Sequence, residues 1–340
     1  MAFFRQLTTI SRASEWWGYK LSPVAAIAYA TASLASTRLM SMWVSFFLLL
    51  LALSVGAVYV SLINDWTDRN IDRAAGKHNR LTDKSTGFVM TCLAACLLVG
   101  ALLGIYFWSL NPISSLCYSG AWVAYSLYSL PPFRLKLRGL AGVLADAAGA
   151  HLFPQLFAVA LIGHFVRGTV PVAWWLAIGT WALACGIRNI LWHQLSDVVA
   201  DQRAGVDTFV TGMGAHKTQQ LGERILFPVE GLAFILALVV LNQVLPILFL
   251  LLYALLEFFR WRIWQLRPLI LAANQRIIGN EFYTVFFPLS ILIGQCLRVP
   301  ADSPFLLLHV LLFGRNSQQT WRDCVHLLRL LAAKLMSYTP

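Results

Sequence analysis

Long apolar runs separated by short polar or basic stretches dominate this chain. A helix needs about 20 predominantly apolar residues to cross a bilayer, and most of the runs approach that length. We expect nine membrane-spanning helices, at 16–36, 40–63, 87–108, 112–130, 140–163, 172–195, 226–241, 245–259 and 282–297. The pattern therefore predicts an all-α fold, a polytopic membrane helical bundle around a central cavity.

The composition supports a membrane protein. Hydrophobic residues make up 59% of the 340 residues, charged residues only 12%, and the mean hydropathy is +0.68. The net charge of +11 comes mainly from basic residues in short loops, where orientation and lipid phosphates explain them. We therefore expect membrane lipid, and not nucleic acid, as a partner. The six cysteines lie mostly inside apolar runs without metal-ligand spacing, so we expect them to be packed.

The spans are expected to form a single domain over residues 1–297, with halves at 16–130 and 139–297. Residues 1–15 lack a signal-peptide core and predict a retained cytoplasmic tail. Residues 298–340 contain an apolar run at 305–313 that is too short to span a bilayer. They end in an amphipathic, basic stretch, which predicts an interfacial tail.

Aspartates are concentrated at the ends of two apolar runs. Asp65, Asp68 and Asp72 follow the second run, whereas Asp197 and Asp201 follow the sixth. Steps of three and four residues return to one helix face, so each cluster should face one way, and the two clusters should share one site. Close carboxylates repel unless a cation lies between them, and Mg²⁺ prefers carboxylate and phosphate oxygens. The clusters therefore predict Mg²⁺ that holds a diphosphate, although either cluster alone could be a solvated helix cap.

Three stretches resemble motifs of the UbiA superfamily of intramembrane prenyltransferases. The sequence NDWTDRNIDR at 64–73 resembles its NDxxDxxxD signature, and DVVADQRAGVDT at 197–208 resembles its second DxxxD motif. Between them, YSLPPFRLKLRG at 128–139 resembles the Tyr-Ser-x-Pro-Pro-x-Arg-x-Lys segment. The resemblance extends from about residue 20 to about residue 209 and agrees in order, spacing and hydrophobic context.

The resemblance implies roles for individual residues. It assigns one Mg²⁺ site to Asn64, Asp65, Asp68 and Asp72, and a second to Asp197 and Asp201. The candidate substrate contacts are Lys77, Arg80, Tyr128, Arg134, Lys136, His193 and Arg203. For the basic residues among them the alternative is topogenic charge. For His193, the alternatives are a base that deprotonates an acceptor and a hydrogen-bonded structural histidine.

Two further features have both a structural and a functional interpretation. Tyr118, Trp122, Tyr125 and Tyr128 recur at helical spacing on the fourth run. They could pack in the core, or their faces could line a prenyl tunnel and stabilise an allylic cation. Asp146 in the fifth run is a functional candidate that could instead pair with the basic residues just before it.

The resemblance implies ionisation of an allylic isoprenyl diphosphate and transfer of the prenyl group to a lipophilic acceptor, for which we expect an aromatic compound. A terpene cyclase of the same superfamily would use the same motifs. A cation-coupled transporter would place its acids near the bilayer midplane, whereas these acids lie at helix ends.

Loop charges predict the orientation of the bundle. The loops after runs two, four, six and eight hold nearly all of the lysines and arginines that lie between spans. By the positive-inside rule, both aspartate clusters should face the cytoplasm. Nine spans would then leave the basic tail on the opposite side, which is a conflict within the prediction.

Overall fold

The computed structural model describes residues 11–74, 76, 79–166, 168–203 and 205–336, without the side chains of 71, 74 and 331–336. Within these ranges the chain is a helical bundle, and the β-type contact found there is an isolated bridge between Leu269 and Ile277. Five helices are long and apolar enough to cross a membrane. The predicted all-α membrane bundle is therefore confirmed.

The main helices follow the predicted runs. They are α1 (Ser22–Leu34), α2 (Trp43–Ala74), α3 (Thr86–Leu110), α4 (Pro112–Ser129), α5 (Leu140–Phe165), α6 (Val172–Arg203), α7 (Ala215–Leu241), α8 (Val244–Trp264), α9 (Phe282–Arg298), α10 (Ser303–Phe313) and α11 (Gln318–Met336). Each of the nine predicted spans corresponds to one of α1 to α9. Helices α2 and α6 extend two to three turns beyond the predicted spans, so both aspartate motifs are helical.

Four π-helical turns interrupt or precede the helices, at Trp17–Leu21, Ala148–Leu152, Gly222–Leu226 and Phe282–Phe286. Each is followed by a proline at the second position of the next helical stretch, namely Pro23, Pro154, Pro228 and Pro288. Proline lacks a backbone N–H and its ring clashes with the carbonyl four residues earlier. The wider π turn relieves this clash, so the helices continue through their prolines instead of ending there.

Helix α1 is the centre of the packing. Every residue from Ser22 to Ser33 is buried, and five of them are alanines. A helix that is apolar on all sides is buried, and small residues let neighbouring membrane helices approach closely. The π turn Trp17–Leu21 continues this helix towards the end of the bundle that carries the aspartates.

The chain after α9 returns to the aspartate end. Turns at Pro300–Asp302 and Gly314–Ser317 flank α10, and the 18 residues 300–317 would span roughly 27 Å as a helix. Asp302 accepts hydrogen bonds from Leu39 and Met40 at one end, and Trp17 donates to the Leu312 carbonyl at the other.

Helix α11 lies at the aspartate end of the bundle. Its Asp323 carboxylate lies 2.7 Å from the Arg260 guanidinium, near the carboxyl end of α8. The run at 305–313 forms α10, which has 11 residues and is not among the five described helices that are long and apolar enough to cross a membrane. That this run is too short to span a bilayer stays a prediction, as does the side of the membrane on which the basic tail lies.

Candidate active site

A cavity of about 210 Å³ opens between the carboxyl ends of α2 and α6 and the segment that follows α4. Asp68 and Asp72 line it from α2, and Asp197 and Asp201 line it from α6. Since α2 and α6 continue as helices past their apolar runs, these four side chains are presented to one space. Sequence reasoning placed both clusters in one site, and four of the five acids meet there.

Asp65 does not line this acidic cavity. Its side chain is buried, with the residue 1% exposed, and its Oδ1 lies 2.5 Å from Arg12 Nη2. Its Oδ2 has no hydrogen-bond partner among the described residues. The expectation that all three acids of the first motif face one cavity is therefore wrong for Asp65, because the N-terminal segment packs over it.

Two basic residues that follow α4 reach into the cavity and hold Asp68. Lys136 Nζ lies 2.5 Å and Arg134 Nη2 2.9 Å from Asp68 Oδ1, and Lys136 also donates to Asn64 Oδ1 at 3.2 Å. The left-handed backbone at Arg134, with φ of 39°, turns the chain back towards α2. Burial lowers the pKa of Lys136, while the neighbouring Asp68 carboxylate opposes that shift.

Asn79 folds the loop after α2 back onto the first motif. Its amide Nδ2 donates to Asp72 Oδ2 and to the Asp65 carbonyl, both at 2.7 Å, and its Oδ1 accepts from the Leu81 N–H. Asn79 is buried. Sequence reasoning considered only its neighbour Arg80, although an asparagine in a basic loop next to an acidic motif could have suggested a clamp of this kind.

The remaining candidates divide into two groups. Asn64, Tyr128 and His193 line the acidic cavity, together with Gln194 and Thr208, which were not predicted as contacts. Thr208 caps the short helix Phe209–Met213, and Gln194 Oε1 accepts from the Val210 N–H at 3.2 Å, so the end of the second motif is fixed.

The other basic candidates lie elsewhere. Arg80 pairs with Glu15, and Arg203 is exposed at the end of α6; neither lines the cavity. Lys77 lies outside the described residues. Of the four basic candidates that the structure describes, Arg134 and Lys136 therefore belong to the cavity, and the predicted cavity contacts of Arg80 and Arg203 are not seen.

A second cavity, of about 130 Å³, is mainly apolar and lies between the π turn before α1, α2, α4 and α5. Tyr125 and Ser61 line it, each one helical turn before Tyr128 and Asn64 of the acidic cavity. Because both helices run from one cavity to the other, the two spaces are neighbours.

The aromatic stripe of α4 serves both interpretations. Trp122 and Tyr125 line the apolar cavity and Tyr128 lines the acidic one, whereas Tyr118 is buried and packs against the rings of Phe107 and Phe157. Tyr118 therefore fits the packing interpretation, whereas the other three residues reach a cavity, so the prediction that they line a prenyl tunnel stays open.

Polar groups also lie beside the apolar cavity. Lys20 lines it and contacts His151, with Nζ and Nε2 2.7 Å apart, and each residue lies on a π turn. Asp146 makes no ion pair with the basic residues before it in the part of the chain described. The structural alternative for Asp146 is therefore not seen.

Comparisons with known proteins identify the fold and the family. The model of the UbiA prenyltransferase family matches residues 23–277. A curated rice protein (Oryza sativa subsp. japonica) named probable homogentisate phytyltransferase 2, chloroplastic, is 26% identical over 287 residues, covering 80% of this chain and 74% of its own.

Solved structures share the architecture. A UbiA homolog from Archaeoglobus fulgidus bound to GPP and Mg²⁺ superimposes with a TM-score of 0.56 at 18% identity, over 85% of this chain and 98% of the other. A structure of digeranylgeranylglyceryl phosphate synthase gives a TM-score of 0.53 at 13% identity, over 93% and 97%. These likenesses support the fold alone, whereas the family match covers well over half of the sequence and includes both aspartate motifs. The chain therefore belongs to the UbiA prenyltransferase family.

Proposed function

We propose that this protein is a Mg²⁺-dependent intramembrane prenyltransferase that ionises an allylic isoprenyl diphosphate and transfers the prenyl group to a lipophilic aromatic acceptor. One observation carries the proposal. A cavity lined by four aspartates, Arg134 and Lys136 lies one helical turn from an apolar cavity. This arrangement suits a substrate with a diphosphate head and a hydrocarbon tail.

The donor set fits magnesium. The acidic cavity offers carboxylate and amide oxygens, and the Asp65 Oδ2 atom beside it is buried without a partner among the described residues. Hard divalent cations prefer such ligands. No three acidic, His or Cys side chains converge closely enough in the described ranges to form a complete metal site by themselves. That is consistent with Mg²⁺, which keeps waters and is completed by substrate phosphate oxygens.

When bound, magnesium supplies positive charge that stabilises the departing diphosphate. The protein's own cations act on the same group. Arg134 and Lys136 share Asp68 and line the cavity. Their N–H groups can donate hydrogen bonds to diphosphate oxygens instead, as the bond between prenyl C1 and oxygen breaks. The electron pair of that bond leaves with the diphosphate.

The apolar cavity is suited to hold the isoprenoid tail and to exclude water from the allylic cation. Tyr59 and Trp122 stack with centroids 4.6 Å apart in its wall, and Tyr125 lies closer to the aspartates. Aromatic faces attract a cation through their quadrupoles, so Tyr125 can stabilise C1 after ionisation, whereas Tyr59 and Trp122 line the space for the tail.

An aromatic acceptor is supported by the rice relative, whose name identifies it as a homogentisate phytyltransferase. His193 lines the acidic cavity next to Asp197 on the same helix. It is our candidate for the base that removes a proton from the acceptor once the new carbon–carbon bond has formed.

The proposal is tested with membranes that contain the protein, Mg²⁺ and geranyl, farnesyl or geranylgeranyl diphosphate, with and without phenolic and quinonoid acceptors. We expect diphosphate release that depends on the acceptor and is lost in Asp68→Asn and Asp197→Asn. The matched control is Asp83→Asn, which changes an exposed loop aspartate. Full activity in Asp68→Asn would contradict the proposal. Release without acceptor, together with cyclic products, would indicate a terpene cyclase.

We also propose that the aspartate end of the bundle faces the cytoplasm. The loops after α2 and α4 are basic, and α11, with Arg322 and Arg329, lies at the same end. Acids from both halves of the chain line one cavity, which supports a single domain. Labelling of cysteines introduced at Asp83 and Arg38 by an impermeant maleimide in sealed vesicles tests the orientation. Labelling of the Arg38 position from the cytoplasmic side would refute it.

A further inference from the structure

We propose that Arg12 is a further residue of the active site, an internal cation that occupies Asp65 until a divalent metal ion replaces it. The inference rests on the proposed function, in which Asp65 is a metal ligand. Arg12 Nη2 lies 2.5 Å from Asp65 Oδ1, across 53 residues of sequence. Arg12 precedes residue 23, where the family match begins, so the family motifs do not include it.

Further contacts hold the N-terminal segment in position around the Arg12–Asp65 ion pair. Arg12 Nη1 lies 3.6 Å from Glu15 Oε2, and Glu15 in turn pairs with Arg80 of the loop after α2. Charges of alternating sign therefore connect Asp65, Arg12, Glu15 and Arg80. Arg12 has a left-handed backbone, with φ of 54°, and the Trp16 indole donates to the Ser11 carbonyl at 2.7 Å. A left-handed conformation is uncommon for arginine, so the surrounding contacts must favour this placement.

The contact between Arg12 and Asp65 is incomplete on both sides. Asp65 Oδ2 and Arg12 Nε are both buried, and neither has a hydrogen-bond partner in the described part of the chain. A guanidinium and a carboxylate can form two parallel hydrogen bonds, yet here one is formed. A buried carboxylate oxygen without a partner is a position that a cation can take. Arg12 therefore neutralises the charge of Asp65 but leaves one of its carboxylate oxygens without a hydrogen bond. This is expected of a contact in which a metal ion can replace Arg12.

Exchange has two consequences for the reaction. Without substrate, a metal ion would have to displace Arg12 from Asp65 in order to bind there, which would lower the affinity of the site for the metal. Once displaced, Arg12 would keep its longer contact with Glu15, and its Nη2 group could bind diphosphate oxygens next to the first motif. Arg12 therefore makes metal binding and diphosphate binding favour each other.

Titration of the purified full-length protein in nanodiscs with Mn²⁺, followed by electron paramagnetic resonance without substrate, tests the exchange. We expect Arg12→Gln to bind Mn²⁺ roughly tenfold more tightly, a difference equivalent to about 1.4 kcal/mol. In steady-state assays with Mg²⁺, the same variant should have a severalfold higher KM for the prenyl diphosphate. Arg38→Gln, which removes an exposed arginine from the opposite end, should change neither value. Unchanged or weaker Mn²⁺ binding in Arg12→Gln would overturn the proposal.

A double-mutant cycle separates direct exchange from a general effect of charge. In an Asp65→Asn background, Arg12→Gln should no longer tighten Mn²⁺ binding, because the carboxylate for which Arg12 and the metal ion compete has been removed. Equal tightening in both backgrounds would refute exchange at Asp65 while leaving the proposed function intact. If the wild-type protein binds no Mn²⁺ and releases no diphosphate, the proposed function itself fails.

Discussion

Gly100 of α3 faces the indole ring of Trp122 so closely that no side chain fits between them. A Cβ atom at Gly100 would lie 2.6 Å from two ring carbons of Trp122. Trp122 stacks on Tyr59, and both rings line the apolar cavity. Gly100→Ala is therefore expected to push the indole into the space that we propose for the isoprenoid tail.

The size of the effect should depend on chain length. Trp122 lies six residues before Tyr128 of the acidic cavity, roughly 9 Å along the helix axis, so the displaced ring narrows the part of the cavity remote from the diphosphate. Complete exclusion of one five-carbon isoprene unit would forfeit roughly 4 kcal/mol of burial. A partial shift of the ring should therefore lower kcat/KM about 10- to 100-fold for geranylgeranyl diphosphate. For geranyl diphosphate we expect a loss below about threefold.

The assay compares kcat/KM for geranyl, farnesyl and geranylgeranyl diphosphate at a saturating concentration of acceptor. Gly104→Ala, one turn further along α3, is the matched control, because a Cβ there would meet no atom closer than 3.9 Å. The ratios of kcat/KM among the three prenyl diphosphates should be the same in Gly104→Ala as in the wild-type protein. An equal loss for all three substrates in Gly100→Ala, or the same profile in Gly104→Ala, would refute the assignment of this cavity to the tail.

Two further predictions concern buried charges. Arg188 and Glu230 form two hydrogen bonds of 2.7 Å and are both 0% exposed. Arg188→Met leaves the carboxylate unpaired and should cost about 3–5 kcal/mol of unfolding free energy, whereas Arg188→Met combined with Glu230→Leu should recover most of it, as thermal unfolding in nanodiscs would measure. Burial lowers the pKa of Lys136, so its cationic form is lost at a lower pH than for an ordinary lysine. The KM for the prenyl diphosphate should therefore rise with alkaline pH in the wild-type protein and stay flatter in Lys136→Arg; parallel pH profiles would contradict this.

Much of the fold could be predicted from the sequence because apolar runs are long enough to cross a bilayer. The ends of α2 and α6 could not be predicted in this way. Hydropathy falls where the aspartates begin, although the helices continue to Ala74 and Arg203. The short turns on both sides of the run at 305–313 could not be predicted either, because they leave no mark in its hydropathy. Prolines gave a usable signal for the π turns, because a proline within an apolar run must be accommodated by the preceding turn.

The candidate site was predictable from helical spacing within each aspartate motif and from the position of both motifs at the ends of apolar runs. Steps of three and four placed Asp68 with Asp72, and Asp197 with Asp201, and the structure brings the two pairs to one cavity. The contact of Arg12 with Asp65 spans 53 residues and depends on how the N-terminal segment packs, which periodicity does not encode. The basic loop residues looked equivalent in sequence. The backbone turn at Arg134 distinguishes it from the exposed Arg203.

The charges around the cavity suggest why metal and substrate should bind together. Four carboxylates and two basic side chains line it, so negative charge is in excess, and a diphosphate alone would be repelled. Divalent cations reverse that balance, but Arg134 and Lys136 already neutralise part of Asp68, and Arg12 does the same for Asp65. Bound metal without substrate would take the Asp68 carboxylate from Arg134 and Lys136 and the Asp65 carboxylate from Arg12, and diphosphate oxygens could take the places of these carboxylates. The protein's own ion pairs therefore disfavour either ligand alone and favour the two together.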